Sequence, residues 1–516
     1  LNACGDMLPE LLPAEITEQY ALPKVGFAYR NVHFPPDRET LALARRRLTF
    51  EEFFVLSCAT QRLRAQRESV PGERIPTPDV KEFYAALPFS PTRAQRRAAD
   101  EALRDMASGK RMSRLLQGDV GSGKTMIAAA AAFCAAKNGL QTAFLVPTEI
   151  LARQHFASLR ALMSCFSIET VLLTGSMPAA EKRRVKEAIA SGEAKLILGT
   201  HALLSGDVAF QSLGLVIADE QHRFGVGQRA ALAAKGRSPH LLVMSATPIP
   251  RTLALIAYGD LDISVVDELP PGRQTIDTFL VGERLRQRVH AFLRRQCAEG
   301  GQAYIVCPAI EEGELESLKS AEVWAQTLQS AVFPDLRVGL LHGRMKGAEK
   351  DAVMSAFARH DLDILVSTTV IEVGVDVPNA NVMVIENADR FGLSQLHQLR
   401  GRVGRGERKS YCILFTSSQN EETLRRLKAL ASTNDGFKIA EEDLKLRGPG
   451  DFFGSRQHGL PLFKAANLQL DMTVLSQAQR AAEAALHDPG WHTDPAFAPL
   501  RARIDVLFDS EPVALN

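Results

Sequence analysis

The chain has 516 residues, of which 46% are hydrophobic and 23% charged, a balance typical of a soluble globular protein with roughly three or four domains. Lysine and arginine number 61 against 60 for aspartate and glutamate, which excludes a histone-like polybasic protein but allows a local basic patch. The seven cysteines include no C-x-x-C pair, so we expect reduced thiols in a cytoplasmic protein, with neither a disulfide framework nor a zinc site. No apolar run approaches the ~20 residues of a membrane-spanning helix, so no membrane partner is expected.

The first block of the chain, residues 1–87, is predicted to be helical and linker-like. Prolines punctuate its start, and apolar residues then recur at helical spacing within Arg38–Glu68. Arg62, Arg64 and Arg67 lie in that helix, and a solvated helix face explains them more simply than a DNA contact does.

Residues 88–270 and 271–418 each alternate short β-rich runs with amphipathic helices, and a Pro/Gly break at Asp267–Gly272 separates them. Buried strands that alternate with helices predict an α/β fold with a doubly wound parallel sheet in each block. The strands predicted in the first block are Ser113–Gln117, Thr142–Val146, Glu169–Leu173, Lys195–Gly199, Leu215–Ala218 and Leu241–Met244. Those predicted in the second are Ala303–Val306, Val338–Leu341, Ile364–Val366, Val382–Ile385 and Cys412–Phe415.

The last block, residues 419–516, is predicted to begin with a helix pair, Glu421–Ser432 and Ile439–Arg447. The second helix is amphipathic and is expected to turn Asp443 and Lys445 outward. A glycine-rich turn follows, and the remainder is rich in alanine.

A phosphate-binding loop is predicted after the first strand. The sequence there fits G-x-x-x-x-G-K-[ST] and lies between a strand and a helix, a context that a chance glycine-rich turn would lack. Its glycines let consecutive backbone N–H groups surround phosphate oxygens, and the helix N-terminus adds partial positive charge. Lys124 can reach the phosphates and Thr125 can ligate Mg²⁺. The residues of the loop are Gly118, Asp119, Val120, Gly121, Ser122, Gly123, Lys124 and Thr125.

Two further patterns carry the chemistry of phosphoryl transfer. A hydrophobic strand ends in Asp219 and Glu220, which are suited to hold Mg²⁺ and to orient the attacking water. Gln398–Arg405 alternates glycines with three arginines, a poor composition for a plain surface helix. Arginines from a second domain can stabilise charge on a γ-phosphate.

These motifs resemble those of superfamily-2 helicases. The resemblance rests on DEQH, SATPIPRT and QLRGRVGR, and further on PTEILARQH, TGS, GTHAL, LHGRM, TTVIEVGVDVPNA and LPFSPTRAQ. In chain order these lie at Leu87–Gln95, Pro147–His155, Thr174–Ser176, Gly199–Leu203, Asp219–His222, Ser245–Thr252, Leu341–Met345, Thr368–Ala380 and Gln398–Arg405.

Longer stretches are similar to one bacterial family, the ATP-dependent DNA helicase RecG. They are Asp219–Arg229, Ala257–Arg273 and Asn434–Gly459, the last of which looks like the helical hairpin and loop called the TRG motif. The resemblance implies two tandem RecA-like domains with an N-terminal helical linker and a C-terminal hairpin. That family places an OB-fold wedge domain before the linker, and no strand-rich barrel pattern precedes the linker here, so the wedge is expected to be absent, either because the sequence is a fragment or because this family member is short.

The function implied by the resemblance is ATP-dependent translocation on double-stranded DNA, with branch migration of Holliday junctions and regression of stalled forks in recombination and repair. The implied cofactors are ATP and Mg²⁺. The implied partners are forks, Holliday junctions, R-loops and single-stranded-DNA-binding protein. The resemblance also implies that the enzyme is a monomer in the cytoplasm, associated with the bacterial nucleoid. The alternatives are a translocase like the transcription–repair coupling factor, an RNA helicase of the same superfamily, and an ATP-binding module without hydrolysis.

Site roles are carried over from the family by motif. Phe89 and Gln95 would contact the adenine, and Gln398, Arg402 and Arg405 the γ-phosphate. The residues implied to couple hydrolysis to motion or to face DNA are Ser245, Thr247, Arg153, Thr200, His201, Arg344, Thr369, Arg447 and Gln457. From the residues alone, His155, His342 and His397 are as readily packing residues as DNA contacts.

Overall fold

The computed structural model describes residues 8–68, 70–76, 80–219, 226–245, 261–270, 273–308, 314–368, 377–447, 463–467 and 470–509. They fall into two compact units. One is drawn from Leu1–Pro71, Pro250–Ile263 and Arg447–Asn516, and the other from Gly72–Ile249 and Ser264–Leu446. Among the described residues, no helix combines the length and apolarity that crossing a membrane requires.

The helices are numbered in chain order. They are α1 Ala14–Gln19, α2 Val25–His33, α3 Arg38–Glu68, α4 Val80–Ala85, α5 Arg93–Ala107, α6 Lys124–Lys137, α7 Glu149–Ser164, α8 Ala179–Ala190, α9 Val226–Ala233, α10 Arg286–Ala298, α11 Glu314–Thr327, α12 Gly347–Ala358, α13 Leu393–Arg400, α14 Glu421–Ser432, α15 Gly436–Arg447, α16 Met472–His487 and α17 Ala498–Asp509.

The strands are numbered in the same way. They are β1 Ser113–Gly118, β2 Gln141–Leu145, β3 Thr170–Leu173, β4 Leu196–Gly199, β5 Leu213–Ala218, β6 His240–Ser245, β7 Asp262–Val266, β8 Ile276–Val281, β9 Gln302–Val306, β10 Val338–Leu341, β11 Ile364–Ser367, β12 Ala380–Ile385 and β13 Ser410–Phe415.

The first unit is helical and is organised by α3, which contacts α2, α16 and α17. Phe50, Phe53 and Phe54 of α3 are fully buried. Glu52 on the same helix accepts hydrogen bonds from three successive backbone N–H groups, those of residues 464–466, at 2.8–3.3 Å. This carboxylate therefore fixes the segment 463–467 to α3.

The first sheet, in the second unit, has the strand order β3-β4-β2-β5-β6-β1-β7. Every pairing with a defined register in this sheet is parallel. Helix α6 is buried along Met126–Ala135, as its alanine-rich sequence predicts for a helix enclosed by other elements. In such a sheet the carboxyl ends of the strands meet along one edge, where a ligand site is expected.

The second sheet has the order β10-β11-β9-β12-β13-β8, again with parallel pairings. The helices α13, α14 and α15 contribute buried residues to the same hydrophobic core, among them Leu396, Leu427 and Ile439. The helix pair predicted at the start of the last block is thus present and is packed on the second sheet.

The predicted architecture of two parallel sheets is confirmed, and each predicted strand lies on an observed one. Two strands were missed, β7 and β8, which occupy the edges of their sheets. Polar residues interrupt both strands, Asp262 and Ser264 in β7 and Asp277 and Thr278 in β8, so neither has the continuous apolar run of a strand buried on both faces; Phe279 of β8 is 49% exposed.

One orientation was wrong. Asp443 is buried and accepts a hydrogen bond from the Ser394 hydroxyl at 3.0 Å, whereas it was predicted to face outward. Burial of this carboxylate is tolerated because Ser394, on α13, donates a hydrogen bond to it. Lys445 does face outward, in an ion pair with Glu442 at 2.7 Å.

Candidate functional site

The predicted phosphate-binding loop joins β1 to α6. Gly121 and Gly123 have φ angles of +75° and +84°, a left-handed backbone conformation in which any other residue would be strained. The loop is closed by a hydrogen bond from the N–H of Ser122 to the carbonyl oxygen of Asp119 at 3.1 Å. The glycines are therefore required by the backbone, as the sequence motif predicts.

Lys124 begins α6 and points back into the loop. Its ammonium donates to the carbonyl oxygens of Gly118 and Asp119, both at 2.8 Å, and the residue is 8% exposed. The loop thus places a positive charge at its centre, next to the N-terminus of a helix whose dipole favours an anion.

Gln95 connects the segment before the first sheet to the loop. Its side-chain amide donates to the Ser122 carbonyl oxygen at 2.7 Å, and its oxygen accepts from the Thr92 N–H at 2.9 Å as part of a capping box on α5. The residue is fully buried, whereas Phe89, the other predicted adenine contact, is 44% exposed. Gln95 therefore has a structural role in the loop that its motif did not reveal.

Asp219 follows β5, whose C-terminal end adjoins that of β2. Its backbone N–H donates to the Leu145 carbonyl oxygen at 2.9 Å, and its carboxylate oxygen Oδ2 lies 3.3 Å from Nε2 of His155 on α7. The Asp219 carboxylate is largely buried at the end of β5, and β5 contacts α6, the helix that carries Thr125. Carboxylate and hydroxyl oxygens suit Mg²⁺, which prefers oxygen ligands. Glu220 lies outside the described residues.

Helix α13 of the second sheet contacts the loop through His397. The Nε2 atom of His397 lies 2.6 Å from Oδ1 of Asp119, and both side chains are largely buried. Burial raises the pKa of the Asp119 carboxyl, but the hydrogen bonds that it accepts from His397 and from the Val120 N–H, together with the nearby charge of Lys124, hold that pKa below its ordinary value. One residue of the loop is thereby tied to the second sheet.

Arg400 sets the orientation of His397. It is 2% exposed, and its guanidinium donates to the carbonyl oxygens of Leu430 at 2.6 Å and Thr433 at 2.8 Å. It also lies 3.1 Å from Nδ1 of His397. Because a guanidinium only donates, Nδ1 accepts and the ring hydrogen is on Nε2, directed at Asp119. The first arginine of the predicted motif thus binds the helix pair, and nothing in the motif distinguishes it from the other two arginines.

The residues after α13 also lie against the loop. A Cβ atom on Gly401 would be 2.9 Å from Cβ of Val120, so glycine is needed for this close approach. Arg273, just before β8, donates to the Val120 carbonyl oxygen. Arg402, 4% exposed, and the partly buried Arg405 follow directly, so the structure brings the predicted arginine motif and the loop together.

The residues predicted to face DNA differ in exposure. Arg153, His201 and Arg344 are exposed, whereas Thr200 and Ser245 are buried at the ends of β4 and β6. Arg153 donates to the Ser176 hydroxyl at 3.3 Å, which joins two of the predicted DNA-facing motifs. Thr247, Thr369 and Gln457 lie outside the described residues, and Arg447 ends α15 without a described side chain.

One parallel sheet carries the phosphate-binding loop and a strand that ends in an aspartate, and a second sheet brings an arginine motif to face them. This arrangement defines the core of a superfamily-2 helicase. Family models agree: the DEAD/DEAH box helicase model matches residues 92–256, the helicase conserved C-terminal domain matches 285–407, and domain 3, C-terminal, of the ATP-dependent DNA helicase RecG matches 433–507.

The chain belongs to the RecG family. It is 47% identical to the ATP-dependent DNA helicase RecG of Bacillus subtilis over 97% of this chain and 74% of the relative. It is 49% identical to RecG of Synechocystis over 96% of this chain, which is 60% of that relative. A solved structure of RecG bound to a three-way DNA junction matches with a TM-score of 0.75 and 49% identity, covering 91% of this chain and 62% of that one. The chain thus spans about three fifths of some curated relatives.

Proposed function

We propose that the chain is the motor of an ATP-dependent double-stranded-DNA translocase that remodels branched DNA. The observation that carries the proposal is the contact between the loop and the arginine motif, made by His397 with Asp119 and by Gly401 with Val120. A nucleotide site built from two sheets changes when the sheets move, so hydrolysis can be coupled to domain motion.

The proposed domains are a helical linker at 1–87, two motor domains at 88–270 and 271–418, and a hairpin with a tail at 419–516. The matches of helicase family models within the two middle blocks support this division. The division assigns the loop to the first motor domain and the arginine motif to the second.

ATP with Mg²⁺ fits the residues of the loop. Ser122 Oγ is buried without a hydrogen-bond partner among the described residues, and Lys124 is held by carbonyl oxygens that a phosphate group can replace. When bound, the nucleotide supplies the γ-phosphate whose hydrolysis provides free energy for motion. Thr125 and Asp219 would ligate the cation, and Glu220 would orient the water.

The remaining roles divide between nucleotide and DNA. Arg402 and Arg405, with Gln398, would stabilise charge on the γ-phosphate, while Phe89 and Gln95 would hold the adenine. Ser245 and Thr247 would couple hydrolysis to motion. The proposed DNA-facing residues are Arg153, Thr200, His201, Arg344 and Thr369.

Phosphate contacts carry little sequence information, so such a surface suits DNA selected by shape. The proposed substrates are forks, Holliday junctions and R-loops; the RecG structure with a three-way junction supports the branched class. A monomer at the bacterial nucleoid, with single-stranded-DNA-binding protein as a partner, completes the proposal.

The hairpin is proposed as a lever that moves the loop after it along the duplex. Arg447→Ala and Gln457→Ala should then keep ATP hydrolysis and DNA affinity while junction unwinding is lost. A parallel loss of both activities with a lowered Tm would show instead that this segment only caps the second sheet.

The experiment that tests the function is ATP hydrolysis measured with fork DNA, a four-way junction, linear duplex and structured RNA. We expect stimulation by DNA and little by RNA, with Lys124→Ala inactive on every substrate. Stimulation by RNA alone would favour the RNA-helicase alternative, and nucleotide binding without any hydrolysis would favour the binding module.

A further inference from the structure

Helix α7 carries residues of two different kinds: an arginine on the exposed surface and a histidine that points toward the acidic end of β5. It starts at Glu149, shortly after the end of β2 at Leu145, with Thr148 as its N-cap. Arg153, one of the residues proposed to face DNA, is exposed on it, and Glu149 accepts a hydrogen bond from the Ser176 N–H at 3.0 Å. Two residues beyond Arg153 along the same helix, His155 is directed at the acidic end of β5.

The contact of His155 with Asp219 is enclosed. Their side chains are 13% and 12% exposed, and Nε2 of His155 lies 3.3 Å from Oδ2 of Asp219. The imidazole ring also packs against the ring of Phe144 on β2, with 5.6 Å between centroids. A carboxylate oxygen accepts, so Nε2 carries the hydrogen in this contact.

A hydrogen bond to one oxygen of a ligating carboxylate fixes the rotamer of the whole group. With Oδ2 bound to His155, the orientation in which Asp219 presents Oδ1 is favoured over rotated alternatives. Groups that orient a metal ligand in this way commonly change metal affinity by about 10–100-fold when they are removed.

We propose that His155 is the positioning residue for Asp219, and that it connects the DNA-facing helix α7 to the magnesium site. This inference rests on the proposed function, since it needs Asp219 to hold Mg²⁺. Because Arg153 and His155 belong to one helix, a shift of α7 on DNA binding changes the His155–Asp219 contact. DNA is thereby able to alter the magnesium site from a distance.

The competing explanation is that His155 only fills space beside Phe144. Three substitutions separate the two roles. His155→Phe keeps a ring beside Phe144 but removes the donor, His155→Gln places an amide N–H near the position of Nε2, and His155→Asn is one methylene too short to reach. His290→Phe is the matched control, because His290 also packs on a phenylalanine, Phe333, in the second sheet's core.

The experiment measures binding of a fluorescent ADP analogue at increasing Mg²⁺, without hydrolysis, in the presence and absence of linear duplex DNA. We expect the Mg²⁺ concentration at half-saturation to rise about 10–100-fold for His155→Phe and His155→Asn. His155→Gln and His290→Phe should resemble the wild type. Duplex DNA should shift the half-saturation point in the wild type and in His155→Gln but not in His155→Phe.

A wild-type Mg²⁺ dependence in His155→Phe would overturn the inference and leave the proposed function intact. If His155→Phe fails to fold, as checked by circular dichroism, the Gln and Asn variants decide, and equal Mg²⁺ dependence in those two would overturn it. A wild-type protein whose nucleotide binding does not respond to Mg²⁺ would refute the proposed function itself.

Discussion

The two sides of the candidate nucleotide site are built differently. On the first sheet, the loop from β1 to α6 is made by local backbone geometry, with glycines at φ +75° and +84° and a lysine at the helix start. On the second sheet, three arginines lie within six residues, and the partners of the first depend on distant segments. Arg400 is buried against Leu430 and Thr433, while Arg402 and Arg405 follow the glycine that contacts the loop. Local motifs therefore identify a phosphate site well, but they do not tell which of several like charges serves it.

Arg405 is the residue on the second sheet at which a substitution should have the largest effect. Arg405→Lys keeps the charge and loses the planar fork, and an arginine at a γ-phosphate is worth about 10³–10⁵ in rate. We expect DNA-stimulated ATP hydrolysis to fall toward that extent while nucleotide binding stays near wild type. Arg408→Lys, an exposed neighbour that binds the Glu299 carbonyl oxygen, is the control. Wild-type turnover in Arg405→Lys would move this residue to the DNA-contact class.

Lys124→Ala tests the phosphate-binding loop on the first sheet. It removes the charge at the centre of the loop, and loss of one such electrostatic group costs roughly 10²–10³ in rate. We expect a fall of at least about 10²-fold in steady-state hydrolysis. Near-normal hydrolysis would contradict the assignment of the loop.

Arg400 should separate stability from catalysis. Arg400→Met leaves the carbonyl oxygens of Leu430 and Thr433 without their donor, and hydrogen bonds to a charged group contribute about 1.5–3 kcal/mol. For domains of this size that corresponds to a Tm lower by about 3–12 °C. The fall in Tm is measured by thermal unfolding of Arg400→Met, with Arg405→Lys unfolded under the same conditions for comparison. If Arg400→Met had the Tm of the wild type, the buried hydrogen bonds of Arg400 would not contribute to stability.

The contact between Asp119 and His397 should depend on pH. The pKa of Asp119 is lowered in the folded protein, so its contribution to stability is present above the unfolded value of about 3.9 and is lost as pH falls through the lower folded value. We expect the Tm difference between wild type and Asp119→Asn to be steady near neutral pH and to shrink below about pH 4. A difference that grows with acid would show that the carboxyl is destabilising.

Arg153→Ala should give the smallest effect. One phosphate contact fewer should lower the slope of log affinity against log salt by about 0.9 for duplex DNA. Arg183→Ala, on the exposed face of α8, is the control. An unchanged slope measured by DNA-binding titration at several salt concentrations would remove Arg153 from the DNA surface.

Much of the fold could be predicted because strands buried on both faces have continuous apolar sequences. β7 and β8 could not, since polar residues interrupt the apolar sequence of both strands. Asp443 was misplaced because helical periodicity treats a charged residue as solvent-facing and cannot foresee a buried partner such as Ser394. Within the site, the loop followed from spacing alone, whereas the roles of Gln95, His155 and His397 in binding Ser122, Asp219 and Asp119 depend on tertiary contacts. No short motif encodes such contacts.

The most direct test of a single nucleotide site shared by both sheets is a double-mutant cycle on single-turnover ATP hydrolysis with Lys124→Ala and Arg405→Ala. Residues that act on the same transition state are strongly non-additive, whereas independent sites add in free energy. We expect the double variant to hydrolyse ATP about as slowly as the slower single variant. Losses that multiply would contradict the shared site.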